Sequence, residues 1–191
     1  MSSLLATDYY RSVQDYLAAE RVSELKHEYL AGVIYAMVGA SVRHNLIAGN
    51  IYGEFLQLMR GKPCEVYSSD VKVRVRGDAA EFYYYPDVTV DCSSPPEDSY
   101  YAEEPLVIFE VLSKETERID RGEKLQNYQT LPSLHAYVLV DQTRIAVAVY
   151  RRTGETWKTE FLSLREEVIR LPEIDSQLPL AAIYARTDLL A

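Results

Sequence analysis

The sequence predicts an α/β (α+β) fold in which helices flank a mixed β-sheet, and three observations lead to this class. Helix and strand patterns alternate along the chain in the order helix, hairpin, helix, strands, helix, strands. The run LVIFEVL is apolar at both alternating sets of positions, which is typical of a central strand buried on both faces. The 191 residues match one domain at roughly 100–200 residues per domain. We therefore predict a single domain over residues 1–191.

Capping and turn residues predict the first elements. Ser12 is a suitable N-cap for a short amphipathic helix. Residues 27–38, HEYLAGVIYAMV, predict two strands around Gly32, because glycine readily adopts the positive φ of a hairpin turn. Ser41 then begins a long helix whose apolar side chains recur at helical spacing, and Gly61 ends it.

The middle of the chain is rich in strand patterns. In order they are CEVY, VKVRVR, YYYPDVTVDC and LVIFEVL, with the polar segment SSPPEDSYYAEEP predicted as a surface loop before the last of them. A second long helix is predicted from Lys114 to Leu131, because Pro132 cannot continue a helix. Strand patterns return in HAYVLVD and RIAVAVYRR, and more weakly near residues 156–162 and 167–170.

The charge balance argues against a general polyanion-binding protein. Lys plus Arg total 20 against 29 Asp plus Glu, a net charge of -9, whereas nucleic-acid-binding surfaces are usually basic. No apolar run approaches the roughly 18 residues of a membrane span, so we expect no membrane partner and a cytoplasmic location. Cys64 and Cys92 lack a CxxC spacing, and we expect two reduced thiols. The histidines lack metal-ligand spacing and no GxSxG motif occurs, which disfavours zinc and serine hydrolases.

Two further patterns have less specific interpretations. Tyrosines cluster at residues 83–85 and 100–101; half-buried packing is their usual role, and we assign them no chemistry. The cations of VKVRVR alternate and so share one face of their strand, where they either contact phosphates or protect an edge strand. They are Lys72, Arg74 and Arg76.

Glu110 is the conspicuous residue of the apolar strand. It shares one face with Ile108 and Leu112, because side chains alternate along a strand. An unpaired buried carboxylate costs several kcal/mol, so a lysine, a metal ion or a tightly bonded donor must lie beside it. Asp87, at the start of the YPDVTV strand pattern, could converge with Glu110, and a divalent cation would ease the repulsion between the two carboxylates.

The second long helix offers the cation. Asp120, Lys124 and Tyr128 follow one another at intervals of four residues and share a helix face. If this helix packs over the sheet, the Lys124 amine reaches the carboxylates. There it could stabilise charge on a phosphate or position a water molecule.

These residues resemble the PD-(D/E)XK nuclease superfamily and, more narrowly, the Uma-type restriction-endonuclease-like family. The matching segments cover roughly residues 12–151. They are HEYLAGVIYAM, the His44 position, YPDVTV, FEVLSKETERIDRGEKLQNY and HAYVLVD. The resemblance implies a restriction-endonuclease-like mixed β-sheet flanked by helices.

The resemblance also implies a metal site. Asp87 and Glu110 would be the metal-binding carboxylates, and the carbonyl of Val111 would complete the site. The superfamily pattern has its lysine two residues after the glutamate, where this chain has Leu112. The narrower family implies that the following helix supplies the amine instead, as Lys124.

Other candidates lie at the edge of this site. Glu28 matches an acidic position there and is included among the catalytic residues. His44, Asp120 and Tyr128 are candidates for contact with a substrate. His44 could instead bond a backbone carbonyl near the start of its helix.

The main candidates also have plain structural interpretations. Glu110 and Lys124 could form a buried salt bridge without a metal ion. Asp87 could be a turn aspartate that follows a proline. Lys124 could form a solvated pair with Asp120, and Glu28 could be a solvated carboxylate of the hairpin.

The predicted function is Mg²⁺-dependent hydrolysis of DNA phosphodiester bonds, with Mn²⁺ as a possible substitute. Mg²⁺ favours few carboxylates together with waters and substrate oxygens. The alternative is a nuclease-like fold that serves as a binding or assembly module with little turnover, because the net charge of -9 opposes long-range attraction of DNA. Under either hypothesis we expect a homodimer, since two-fold dimers are the commonest soluble oligomers.

Overall fold

The structure, a computed structural model, describes residues 11–77 and 80–190. These residues form thirteen strands and several helices. The helical elements are α1 (Val13–Glu20), α2 (Val42–Leu58), α3 (Glu117–Ile119), a π-helical segment (Asp120–Lys124), α4 (Leu125–Gln129) and α5 (Leu180–Ile183), with 3₁₀ helices at Pro172–Ile174 and Asp188–Leu190. The strands are β1 (His27–Leu30), β2 (Val33–Ala36), β3 (Glu65–Ser68), β4 (Lys72–Arg76), β5 (Glu81–Tyr84), β6 (Val88–Asp91), β7 (Tyr101–Ala102), β8 (Pro105–Leu112), β9 (Ala136–Asp141), β10 (Val147–Thr153), β11 (Thr156–Leu162), β12 (Val168–Leu171) and β13 (Ser176–Pro179).

A six-stranded mixed sheet contains the predicted central strand. Its order is β11-β10-β9-β8-β6-β3, with β8 parallel to β9 and antiparallel to β6. Helix α2 packs Ile47, Ile51 and Phe55 into the same apolar core as Phe109 of β8. The opposite face of β8 packs Ile108 against the core beneath the π-helical run. Burial of β8 on both faces is therefore confirmed.

A second mixed sheet has the order β2-β1-β5-β4-β7. The polar connection predicted as a plain surface loop contains β7, which pairs in parallel with the start of β4. A two-stranded sheet of β12 and β13 completes the pairing. The single mixed sheet expected from the sequence is thus divided into separate mixed sheets, because strand pairing between distant segments leaves no local signal.

The local capping and turn signals are confirmed. Ser12 Oγ accepts a hydrogen bond from the Asp15 amide at 3.1 Å and so caps α1. Ser41 Oγ accepts from the His44 amide at 3.1 Å and caps α2. The β1–β2 hairpin turns at Ala31 and Gly32, whose φ values of 50° and 100° lie in the left-handed region.

The second long helix differs from its predicted form. It spans residues 117–129 rather than Lys114 to Leu131, and its middle is π-helical from Asp120 to Lys124. Gly122 lies inside this π-helical segment, where its weak helix propensity permits a departure from α-helical geometry. Single-turn π segments often occur at functional sites, and this one carries the predicted lysine.

The prediction of two reduced thiols is wrong. Cys64 and Cys92 are joined by a disulfide bond. They flank paired strands, since β3 and β6 run antiparallel with Glu65 opposite Asp91. The cysteines are therefore the next cross-strand neighbours, a relation that depends on strand register and not on their 28-residue separation.

The structure bears on the expected absence of membrane spans but does not test the single-domain prediction. No helix in the described ranges is long and apolar enough to cross a bilayer. The single domain over residues 1–191 stays a prediction, and residues 1–10, 78, 79 and 191 lie outside the described part.

Candidate active site

Lys124 lies at the centre of a buried group of acidic side chains. Its ammonium nitrogen is 3.0 Å from Glu110 Oε1, 3.0 Å from Glu28 Oε1 and 3.4 Å from Asp120 Oδ1. We call these four side chains the carboxylate–lysine cluster. The predicted meeting of Glu110 and Lys124 is present, and the solvated interpretations of Lys124 and Glu28 are excluded by this geometry.

Three separate elements position the cluster. Glu110 lies on β8 on the same face as Ile108 and Leu112, towards the core beneath the π-helical run. The π-helical segment carries Asp120 at its start and Lys124 at its end, so both side chains face inwards. Glu28 comes from β1 of the other sheet, and its Oε1 also accepts a hydrogen bond from the Tyr85 amide at 3.1 Å.

Asp87 is held beside this cluster by two hydrogen bonds. The backbone N–H of Val111, the residue after Glu110, donates to Asp87 Oδ2 at 2.7 Å. His44 Nε2 lies 2.9 Å from Asp87 Oδ1 and donates to it, because a carboxylate oxygen can only accept. The predicted contact of His44 with a backbone carbonyl is thus replaced by a contact with Asp87, and Asp87 is more than an isolated turn residue.

Exposure increases from one end of the site to the other. The side chains of Glu110, Lys124 and Asp120 retain 6%, 7% and 2% of their accessible surface. The side chains of Asp87 and His44 retain 16% and 13%. Glu28 retains 15%, so a polar molecule would meet Asp87, His44 or Glu28 before the three more deeply buried side chains.

The cluster carries more negative charge than its lysine can balance. Burial, reinforced by repulsion from Asp120, Asp87 and Glu28, outweighs the attraction of Lys124 and raises the pKa of Glu110 well above its usual range. Burial opposes the charge on Lys124, but Glu110, Glu28 and Asp120 outweigh it and raise the pKa of Lys124. Lys124 therefore stays protonated, while Glu110 holds a proton more tightly than an exposed glutamate does.

Replacing Glu110 with glutamine is expected to stabilise the fold at neutral pH. When folding raises the pKa of a carboxyl, the folded protein loses stability as the pH rises from the pKa of that group in the unfolded chain towards its pKa in the native protein. The variant should gain about 1 kcal/mol or more in free energy of unfolding near pH 7, and its stability should vary less between about pH 4 and pH 7. Urea unfolding at both pH values measures the change. The exposed Glu160→Gln is the control and should leave the pH dependence of stability unaltered. A loss of stability near neutral pH in Glu110→Gln would contradict the excess negative charge inferred for the cluster.

Burial opposes a charged imidazole at His44, but the hydrogen bond and the charge of Asp87 outweigh it and raise the pKa of His44. His44 Nδ1 is buried and has no hydrogen-bond partner among the described residues. His44 is thus oriented through Nε2 alone. It is a predicted substrate contact that lies directly against a predicted metal ligand.

Tyr128 has a different environment from the one expected of a substrate contact. It is fully buried, and its ring packs 5.3 Å from that of Tyr84 and 5.2 Å from that of Tyr137, measured between centroids. Its hydroxyl has no hydrogen-bond partner in the part of the chain described. In this conformation Tyr128 supports the face on which Lys124 lies, and its contact with a substrate stays a prediction.

The tyrosine cluster contributes more than the sequence indicated. The ring centroid of Tyr84 lies 5.5 Å from the Lys124 nitrogen, within the range of a cation–π contact. The Tyr85 amide binds Glu28. Alternation of side chains along YYYPD could have suggested that one of these tyrosines faces the Glu110 side of the sheet, but nothing in the sequence identifies which residue it contacts.

The donor chemistry suits a hard divalent cation with few protein ligands. Between residues 11–77 and 80–190, no group of three or more His, Cys, Asp or Glu side chains is arranged to hold a metal ion. Asp87 and Glu110 stay the predicted side-chain ligands, and Mg²⁺ accepts such a small protein set when waters and a carbonyl complete the coordination. Burial and, after it, the neighbouring carboxylates raise the pKa of Glu110, and a bound cation would oppose both effects.

The mixed sheets flanked by helices, with this cluster against the central strand, define a restriction-endonuclease-like α/β protein. The family described as "Uma2: Putative restriction endonuclease" matches residues 13–181. The chain belongs to this Uma2 family.

The chain is also similar to proteins of known sequence or structure. The chain is 34% identical over 145 residues to the uncharacterized protein slr1290 of Synechocystis sp., covering 75% of each chain. It is 32% identical over 156 residues to the uncharacterized protein sll1609 of the same organism, covering 80% of this chain and 86% of the relative. A crystal structure described as "a putative nuclease belonging to DUF820" from Anabaena variabilis has a TM-score of 0.72 at 16% identity, covering 92% of this chain and 98% of that one. This last likeness establishes the fold.

Proposed function

We propose that the protein is a metal-dependent endonuclease that hydrolyses phosphodiester bonds in DNA. The observation that carries the proposal is the buried Lys124 ammonium 3.0 Å from Glu110, with Asp87 hydrogen-bonded to the next residue of the same strand. An acid, acid, lysine set in a restriction-endonuclease-like fold suits phosphoryl chemistry, because the developing charge on a phosphate needs fixed positive groups.

Asp87, Glu110 and the Val111 carbonyl would hold Mg²⁺ or Mn²⁺. When bound, such an ion supplies Lewis-acid polarisation of the phosphate and a more acidic water.

The chain's own residues supply orientation and charge. Lys124 holds Glu110 in one position and offsets the charge that grows on the phosphate. His44 fixes Asp87 through Nε2 and is placed at the more exposed end of the site, where a phosphate would enter. Glu28 and Asp120 keep the Lys124 ammonium directed into the cluster.

The test is cleavage of supercoiled plasmid with Mg²⁺ or Mn²⁺ by wild type, Asp87→Asn and Glu110→Gln. Both variants keep the shape of the side chain and should lose cleavage, and the exposed Lys158→Met should retain it. Thermal unfolding of each variant shows that the loss is not due to unfolding. Equal nicking by wild type and Asp87→Asn would eliminate the proposed site.

A second candidate is a binding or assembly module with little or no turnover. The net charge of -9 and the small number of side-chain ligands at the site favour it. Calorimetric titration with Mg²⁺ and Mn²⁺ separates the two candidates. Absence of heat up to millimolar ion, together with an intact plasmid, would favour the module.

A homodimer in the cytoplasm completes the proposal. Two-fold pairing of two sites would allow both strands of a duplex to be cut. Sedimentation at micromolar concentration tests this state, and a monomer there would remove it.

A further inference from the structure

Lys72 is a buried amine outside the candidate active site. It lies at the start of β4 on the same face as Arg74, and only 4% of its surface is exposed. Glu28 points from β1 towards the other face of this sheet, because the adjacent Tyr29 packs with Tyr83 on the Lys72 side. The sheet therefore separates Lys72 from the carboxylate–lysine cluster.

The polar contacts of Lys72 include no direct carboxylate, and Glu20 is linked to it only through Tyr85, whose hydroxyl donates to Glu20 Oε1 at 2.8 Å. The Lys72 nitrogen donates to the Tyr85 hydroxyl at 3.0 Å and lies 4.9 Å from the centroid of the same ring. No carboxylate oxygen of the described residues lies within 4.0 Å of it, whereas Arg74 on the same face binds Glu81 and Glu103. Two of the three N–H groups of Lys72 are thus available to a ligand.

Burial lowers the pKa of Lys72 despite the attraction of Glu20, and the nearby positive charge of Arg21 acts in the same direction as burial. The amine is therefore held in an environment that an added negative charge would improve. Because the cost of burying the amine is already met in the folded protein, an anion would find it preorganised.

Lys72 opens into a small pocket that carries a second cation. The pocket has a volume of about 110 Å³, and Arg21 and Tyr100 line it together with Lys72. The Arg21 guanidinium lies 4.9 Å from the Tyr100 ring centroid, and no carboxylate of the described part of the chain pairs with it. Of the described residues that line the pocket, Asp98 is the acidic one, and because it is exposed to solvent its opposing charge is screened.

The size and donors of the pocket restrict its ligand. Pockets for whole small molecules have volumes of about 300–1,000 Å³, so this one admits a single small group and not a nucleotide. An ammonium and a guanidinium that face the same space match a tetrahedral oxyanion, since the guanidinium offers two parallel N–H donors and the ammonium a point charge.

We propose that the pocket formed by Lys72, Arg21 and Tyr100 is a phosphate-binding site, separate from the candidate active site. The phosphate is either a free phosphate ion or the terminal phosphate of a nucleic acid strand. This inference does not depend on nuclease activity.

The test follows amide shifts of ¹⁵N-labelled protein by NMR during titration with inorganic phosphate at constant ionic strength. Wild type should bind with a dissociation constant on the order of 1 mM, with shifts concentrated at residues 17–21, 72 and 98–101. Lys72→Met keeps the apolar stem over Tyr85 and should weaken binding about tenfold or more. Arg21→Gln alters an exposed side chain, cannot disturb the core, and should weaken binding by a similar factor.

Lys158→Met is the matched control, because it removes the same charge from an exposed position on β11 and should bind phosphate as wild type does. Binding that is unchanged in both Lys72→Met and Arg21→Gln would overturn the proposal, as would absence of these shifts in wild type at about 10 mM phosphate.

A second arm identifies the source of the phosphate. A short single-stranded oligonucleotide with a 5′-phosphate is compared with its unphosphorylated form in EDTA, so that no divalent ion serves the active site. Tighter binding of the phosphorylated form than of inorganic phosphate, lost in Lys72→Met, assigns the site to strand ends. Equal affinity for the phosphorylated oligonucleotide and for inorganic phosphate assigns the site to free phosphate.

Discussion

Lys124→Met is expected to lower the free energy of unfolding by about 3–5 kcal/mol at neutral pH. The substitution leaves Glu110, Glu28 and Asp120 facing one another in a site where their side chains are 2–15% exposed. Removing the lysine is costly because the carboxylates that remain buried have no cation beside them and are not resolvated. Glu110→Gln differs, since Lys124 keeps Glu28 and Asp120 as partners.

Acid should reduce this loss. In the variant the native carboxylates would hold protons that the unfolded chain releases, so the free energy of unfolding should fall as pH rises from about 4 to 7. Urea denaturation of wild type and variant across this range measures both effects. Lys114→Met, on an exposed segment before α3, should behave as wild type. A loss below about 1 kcal/mol at pH 7 would mean that Lys124 does not hold the carboxylates together.

Reduction of the Cys64–Cys92 disulfide should produce the other large loss of stability. The bond closes a loop across a 28-residue separation, for which the chain-entropy relation gives about 3–4 kcal/mol. For a protein of this size that corresponds to a fall of about 6–16 °C in Tm. Scanning calorimetry with and without a thiol reductant measures the shift.

The double variant Cys64→Ala, Cys92→Ala should unfold near the temperature of reduced wild type and be insensitive to reductant. Equal Tm values of oxidised and reduced wild type would contradict the expected contribution. Disulfides are uncommon in reducing compartments. If the protein is cytoplasmic as predicted, the β3 edge of the six-stranded sheet would be in its weaker, reduced form there.

The sequence predicted those features that are determined by neighbouring residues. Ser12 and Ser41 cap their helices because capping needs only a side-chain oxygen and an amide three residues away. Gly32 marks its hairpin because the turn requires a positive φ. The apolar strand alone predicts that Glu110 needs a cation, and the spacing of Asp120, Lys124 and Tyr128 on one helix face indicates Lys124.

Features that depend on distant pairing were missed. The disulfide follows from the register of β3 against β6. Glu28 is predicted at the edge of the site, but its contact with Lys124 depends on how β1 of the other sheet lies against β8. The sequence predicts an ordinary α-helix at Asp120–Lys124, where the structure has a π-helical segment, since Gly122 is a weak signal by itself. Roles in catalysis for these residues stay predictions.

The parallel pairing of β8 with β9 explains why the lysine can lie outside the strand that carries the glutamate. Antiparallel neighbours can be joined by a tight turn, but a parallel pair obliges the chain to return over the sheet through a crossover of a dozen or more residues. Here residues 113–135 make that return, and Lys124 projects down from it onto Glu110. The returning segment covers the glutamate, so an amine on it reaches Glu110 without a place on β8 itself, and Leu112 packs in the core.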